Sequence, residues 1–169
     1  ANLFSSILDS NVDSAVDTYS ELQILANIVA RLFITAAGGN PTPPITAAEL
    51  ALIGINGVTS TNLSSVLSTI AATTDNGSGI DDLAKLQGVV DTGIANARSA
   101  SQAIIANYDG TNTVPTLADF VNIGVTGVIS GQIAAINTFI AVRPTVDTDS
   151  QVEVQAIVDA YAKLVSSAN

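Results

Sequence analysis

His, Cys, Met and Trp are all missing from this chain, so any chemistry must come from carboxylates, hydroxyls, its three tyrosines or its five lysines and arginines. The oxygen-rich loops are the first candidates. Asp75-Asn76-Gly77-Ser78-Gly79-Ile80-Asp81-Asp82 and Asn107-Tyr108-Asp109-Gly110-Thr111-Asn112 both invite a Ca²⁺ reading. Calcium takes about six to eight oxygens, and the EF-hand pattern closes on a bidentate Glu that neither stretch supplies. Both are expected to be turns and helix N-caps, with no metal and no cofactor. The carboxylate pairs Asp81/Asp82 and Asp147/Asp149 come next. Hydrolysis by paired carboxyls needs one of them desolvated, with substrate between the two. Placed at helix starts beside loops, these pairs are expected to be solvated, with Asp147 and Asp149 favouring the positive end of a helix dipole. Serines are plentiful, but no His activates them and no lysine sits in a Ser-Lys motif. No catalytic residue is expected, and the chain reads as a non-enzyme. Tyr108, in a loop beside Asp109 and Asn112, is the candidate contact for a glycan or protein ligand. Tyr161 lies on an apolar stripe and is expected in the core.

Fifteen acidic residues against five basic give a net charge of −10, which repels nucleic acid and anionic lipid. Mean hydropathy is +0.45, yet Ser, Thr, Asn or Asp interrupts the apolar residues every few positions. No run of about 18 apolar residues is left to insert into a membrane. Ala1-Asn2-Leu3-Phe4 has neither the basic lead nor the apolar stretch of a signal peptide. The absence of Met is read as an excised or processed segment. An acidic chain rich in Ala, Ser, Thr and Asn and free of Cys suits a bacterial extracellular or cell-surface setting.

The elements follow from periodicity and punctuation. Residues 3–9 form a short helix or the tail of an earlier one. From about Ser14 to Ala37, Leu22, Leu25, Val29, Leu32 and Phe33 make one helical stripe, stopped by Gly38-Gly39-Asn40-Pro41. Thr46-x-x-Glu49 is a capping box opening a short helix that ends at Gly54. Gly57 permits a second turn, and Thr59 is the expected N-cap of a helix to about Ala72. Leu63, Val66, Leu67 and Ile70 share one face of it. A long helix from about Asp81 to Ala106 carries Leu86, Val89, Val90, Ile94, Ile104 and Ile105 as core positions, with Asp81 and Lys85 as an i,i+4 pair. After Val114-Pro115 the pattern returns. Thr116-x-x-Asp119 is a weaker capping box, and Gly124 and Gly127 stand 70 residues after Gly54 and Gly57 (124 − 54 = 127 − 57). A last helix, about Thr148 to Ser167, has Val154, Ile157, Val158, Tyr161, Leu164 and Val165 on its apolar face.

Leu22-Gln23, Leu86-Gln87 and Val154-Gln155 also align, at offsets of 64 and 68 (86 − 22 and 154 − 86). One period therefore holds a long Leu-Gln helix, a short capped helix and a medium helix. The expected fold is all-α, with about two and a half copies of a three-helix unit forming a helical bundle or short array. Residues 1–44 form an N-terminal half-repeat, 45–114 the first unit and 115–169 the second. Two departures stand out: Ile129 where Thr59 could cap, and Gly93 where Val29 and Tyr161 fill the stripe.

The Thr-led short helix, the Gly-Ile/Val-x-Gly-Val turn and the segments Leu86-Gln87-Gly-Val-Val90-Asp91 and Val154-Gln155-Ala-Ile-Val158-Asp159 resemble the tandem helical repeats of large secreted or surface-attached bacterial proteins, often described as adhesins. The resemblance covers nearly everything from Ser14 onward, and no catalytic motif travels with it. It implies a non-catalytic structural or interaction module, a spacer or adhesive segment, whose partners are neighbouring repeats of the same parent chain. The alternative is a specific binding domain that captures a host or matrix macromolecule on one helix face.

Overall fold

A computed structural model describes residues 2–11, 16–73 and 77–167. Among the described residues every regular element is helical: α1 (Leu3–Ser10), α2 (Tyr19–Ala36), α3 (Ala47–Leu52), α4 (Leu63–Ala71), α5 (Leu83–Ala106), α6 (Leu117–Asn122), α7 (Ile133–Ala141) and α8 (Gln151–Ser167). The all-α expectation holds. Asp75 and Asn76 of the first oxygen-rich loop, and Ser14 at the expected start of the second helix, lie outside the described residues.

Local chemistry sets where the helices begin. The α2 helix starts at Tyr19, later than the expected start near Ser14, because Thr18 and Glu21 form a reciprocal capping box. The α4 helix starts at Leu63, not directly after Thr59. Thr59 instead shapes the turn before it, donating its N–H to Asn62 Oδ1 at 2.8 Å while Asn62 Nδ2 donates to the Gly57 carbonyl at 3.0 Å. In the second copy Gln132 stands in the place of Asn62 and Ile129 in that of Thr59. There the chain tightens into a 3-10 turn over Ser130–Gln132, and Ile129 is left exposed. Ser150 and Glu153 cap α8 reciprocally.

By contacts the chain divides into two compact units, residues 1–96 and 97–169. The division falls inside α5, whereas the period boundaries read from sequence fall in the linkers at 44/45 and 114/115. Unit 1 buries Leu3 and Ile7 of α1, Leu25, Ile28 and Leu32 of α2, Leu50 of α3, Val66 and Ile70 of α4, and Leu86 and Val90 of α5. Unit 2 buries Ile105 at the end of α5, Phe120 of α6, Ile136 and Ile140 of α7, and Val154, Ile157 and Val158 of α8.

Three expected core positions are corrected. Phe33 is 36% exposed, Leu164 58% and Val165 37%. Each lies on the apolar side of its helix, but near a helix end where the stripe runs past the neighbouring helices. Tyr161 packs against the second core and meets Phe139 edge-on, with ring centroids 6.1 Å apart. The Gly93 departure has a packing reason: a Cβ there would lie 2.7 Å from Val66 Cα. The bare glycine lets α4 approach closely enough for Ser65 Oγ to donate to the Gly93 carbonyl at 2.8 Å.

Candidate functional site

The two short helices and their glycine turns carry the densest set of sequence-singled residues, and each is built from its cap outward. Thr46 N–H donates to Glu49 Oε2 at 2.9 Å and Glu49 N–H to Thr46 Oγ1 at 3.2 Å, the reciprocal box expected from the sequence. Glu49 does more. Its carboxylate also receives the Arg31 guanidinium from α2, and Arg31 donates at 3.2 Å each to the carbonyls of Pro43 and Pro44. The hydrogen bond from Arg31 is the main cause holding the Glu49 carboxyl below its ordinary value of 4.5. In the second copy Thr116 N–H and hydroxyl donate to Asp119 Oδ2 at 2.8 and 2.7 Å. Asp119 is buried, and its other oxygen accepts from Ser101 Oγ at 2.9 Å. One copy thus anchors its cap carboxylate with an arginine, the other with a serine.

Both short helices end alike. Gly54 N–H donates to Ala51 O and Ile55 N–H to Leu50 O, at 3.0 Å each; Gly124 N–H donates to Val121 O at 3.0 Å and Val125 N–H to Phe120 O at 2.9 Å. This paired pattern is the Schellman motif, and it needs a left-handed residue after the helix. Gly54 and Gly124 supply it, with φ of 88° and 83°, a region costly for any residue with a Cβ. Gly57 and Gly127 also lie at positive φ, 83° and 81°.

The second of the two residues between each pair of glycines is clamped from a distance. Gln87 Oε1 accepts the Asn56 N–H at 2.9 Å, while Gln87 Nε2 donates to Asn56 O at 3.2 Å and to Asp91 Oδ1 at 2.7 Å. Gln155 does the same in unit 2: it accepts from Thr126 N–H at 2.9 Å and donates to Thr126 O at 3.1 Å and Asp159 Oδ1 at 2.9 Å. In α5 and α8 the glutamine of the recurring Leu/Val-Gln pair is a backbone clamp. Its recurrence was legible; its purpose was not.

The candidate carboxylates are placed apart from one another in function. Asp82 Oδ1 accepts the Lys85 N–H at 2.8 Å and caps α5, and Asp81 pairs with Lys85 Nζ at 2.6 Å. Asp109 accepts from Thr111 N–H, Thr111 Oγ1 and Asn112 N–H, a closed loop turn. Asp147 lies in a 3-10 turn. Asp149 stands beside Glu153, whose carboxylate raises the Asp149 carboxyl above its ordinary value, while the Ser150 hydroxyl lowers that of Glu153. Asp149 is exposed on an open groove of about 510 Å³. The larger groove of unit 1, about 530 Å³, is lined by serines, prolines, glycines and apolar side chains such as Ser64, Ser68, Pro41 and Leu67, with no titratable side chain among them. No group of three or more acidic ligands close enough to hold a metal is found among the described residues. Tyr108 is half-buried and packs its ring against the second core. No described helix is long and apolar enough to cross a membrane.

Compared with known proteins, the chain matches no family model, no curated protein and no solved structure.

Proposed function

We propose that the chain is a non-catalytic structural module: tandem three-helix repeats that act as a spacer or adhesive segment of a secreted or surface-attached bacterial protein. Its partners are neighbouring repeats of the same parent polypeptide. The observation that carries this reading is the duplicated construction of the glycine turns. Two copies, 70 residues apart, share the same cap positions, the same Schellman geometry and the same glutamine clamp. In both copies the cap residues and the clamping glutamine hold backbone groups of the helix start and the turn, and shape is what such residues produce. A net charge of −10 keeps an extended array from self-association through repulsion.

The test is a binding screen of the intact chain against matrix proteins and a glycan array by surface plasmon resonance. No saturable binding up to about 100 μM, an affinity weaker than about −5.5 kcal/mol, is expected of a spacer. Saturable binding lost on mutating one helix face would overturn the spacer and favour the specific binding domain. Saturable binding lost on Tyr108→Ala would assign that tyrosine as its ligand contact.

A further inference from the structure

We infer that the Tyr19–Gln23–Asn27 row of α2 is a docking edge for a glycine turn supplied by a further repeat of the same polypeptide. This rests on the repeat reading above and names the surface through which repeats join. The row has two counterparts in the chain. Leu83, Gln87 and Asp91 on α5 stand 64 residues later (83 − 19, 87 − 23, 91 − 27), and Gln151, Gln155 and Asp159 on α8 stand 68 after those.

Both counterparts are occupied. In α5, Leu83 Cδ2 lies 3.5 Å from where a Cβ on Gly54 would sit, and Gln87 grips both backbone groups of Asn56. In α8, Gln151 Nε2 donates to the Gly124 carbonyl at 3.4 Å, and Gln155 grips Thr126. The α2 row has the same clamp half assembled. Gln23 Nε2 donates to Asn27 Oδ1 at 3.0 Å, as Gln87 does to Asp91. Its carbonyl accepts only the Tyr19 hydroxyl, at a long 3.3 Å, among the described residues. Gln23 and Asn27 are exposed where Gln87 and Gln155 are half-buried, and Tyr19 is 82% exposed where Leu83 is half-buried.

The helix beside this row fits the same scheme. In α1, Phe4-Ser5-Ser6-Ile7-Leu8 repeats Leu63-Ser64-Ser65-Val66-Leu67 of α4 at an offset of 59 (63 − 4). So α1 packs against α2 as a medium helix, α7, packs against α8. The short capped helix and Gly-x-x-Gly turn that lead into α4 and α7 have no counterpart among the described residues ahead of α1. The occupant that matches the row is a further short helix and turn of this kind, because its backbone N–H and C=O are what the glutamine amide grips in the other two cases.

The experiment extends the chain. Residues 45–61 are placed directly ahead of Leu3 in place of residues 1–2, so that a short helix and turn lead into α1 as they lead into α4. The expected results are a Tm rise of about 2–4 °C and a shift of the Gln23 side-chain amide NMR signals. Gln23→Ala should abolish the rise in the extended chain while leaving the original chain unchanged. A rise that survives Gln23→Ala, or unmoved Gln23 amide signals, would overturn the proposal. If the extended chain does not fold, a synthetic peptide of residues 45–61 is titrated into the intact protein. Gln23 shifts that are lost when Gly54 and Gly57 of the peptide become Ala support the proposal, and no shift at millimolar peptide overturns it. Dimerisation of the extended chain through this row would assign the edge to a second molecule and overturn the assignment to the same polypeptide. An unmoved Gln23 leaves the spacer reading standing, whereas a host ligand found in the binding screen removes the spacer and leaves this docking edge intact.

Discussion

Three glutamines at equivalent positions separate a residue's type from its work. Gln87 and Gln155 each hold a turn backbone through one accepted and one donated bond; among the described residues Gln23 holds none. Net hydrogen-bond contributions are about 0.5–1.5 kcal/mol each, and the released turn groups lie at the surface where water replaces the amide. Gln87→Ala and Gln155→Ala should therefore each lower stability by about 1–2 kcal/mol in urea titrations. Gln23→Ala should fall within about 0.5 kcal/mol of the parent. Equal effects at all three sites would remove the clamp as the explanation. At Gly54 the contest is between backbone strain and space. An added Cβ meets Leu83 only at ordinary contact, 3.5 Å, so the cost of Gly54→Ala comes from its φ alone. About 1 kcal/mol is expected, read as a lower urea midpoint with unchanged slope.

Between helices, Gly93 shows two opposing terms of known size. Ala in place of Gly inside a helix gains up to about 1 kcal/mol. Here the new Cβ would lie 2.7 Å from Val66 Cα, a backbone atom that cannot swing aside, and overpacking of this kind costs about 1–3 kcal/mol. The clash wins, and Gly93→Ala should destabilise the protein and break the Ser65 hydroxyl bond to the Gly93 carbonyl. An increase in Tm would refute the close-approach account. The equivalent place in unit 2 is filled differently: Tyr161 of α8 lies edge-on to Phe139 of α7. The same period thus tolerates a bare glycine or an aromatic pair, because each pair of helices sets its own separation.

Over the whole molecule, acid is the revealing variable. Glu49 is lowered chiefly by Arg31, Glu21 by Thr18, Glu153 by Ser150, Asp81 by Lys85 and Asp109 by Thr111; among the described carboxyls Asp149 alone is raised, by Glu153. A carboxyl lowered on folding leaves the unfolded chain binding more protons. Its contribution is full above the unfolded pKa and is lost as pH falls through the folded one. Asp149 works in the opposite direction, and so does relief of the −10 repulsion. Added salt screens that long-range repulsion and spares the half-buried Arg31–Glu49 pair. In about 0.5 M salt, Tm should therefore fall as pH drops from about 5 to 3, and Glu49→Gln should flatten the fall. A flat profile for the parent would show that these caps do not stabilise the fold. The second core supplies a further check. Phe120 is fully buried there, so Phe120→Ala should cost about 3–5 kcal/mol, with faster amide exchange across residues 97–169.

The capping boxes at Thr46 and Thr116 and the stops at Gly54 and Gly124 are decided within about one helical turn, which is why reading residues in order finds them. Thr18-x-x-Glu21 and Ser150-x-x-Glu153 were legible by the same rule. What lay beyond reach depends on partners brought together through space. Gln87 meets a turn 31 residues earlier and Gln155 one 29 residues earlier; Arg31 meets Glu49 and Ser101 meets Asp119, each across 18 residues. Periodicity marks a face as apolar without saying what covers it, so Phe33, Leu164 and Val165 looked like core and are half open to water. Local backbone preferences are carried by a few adjacent side chains. Burial and pairing are properties of whichever neighbours folding delivers.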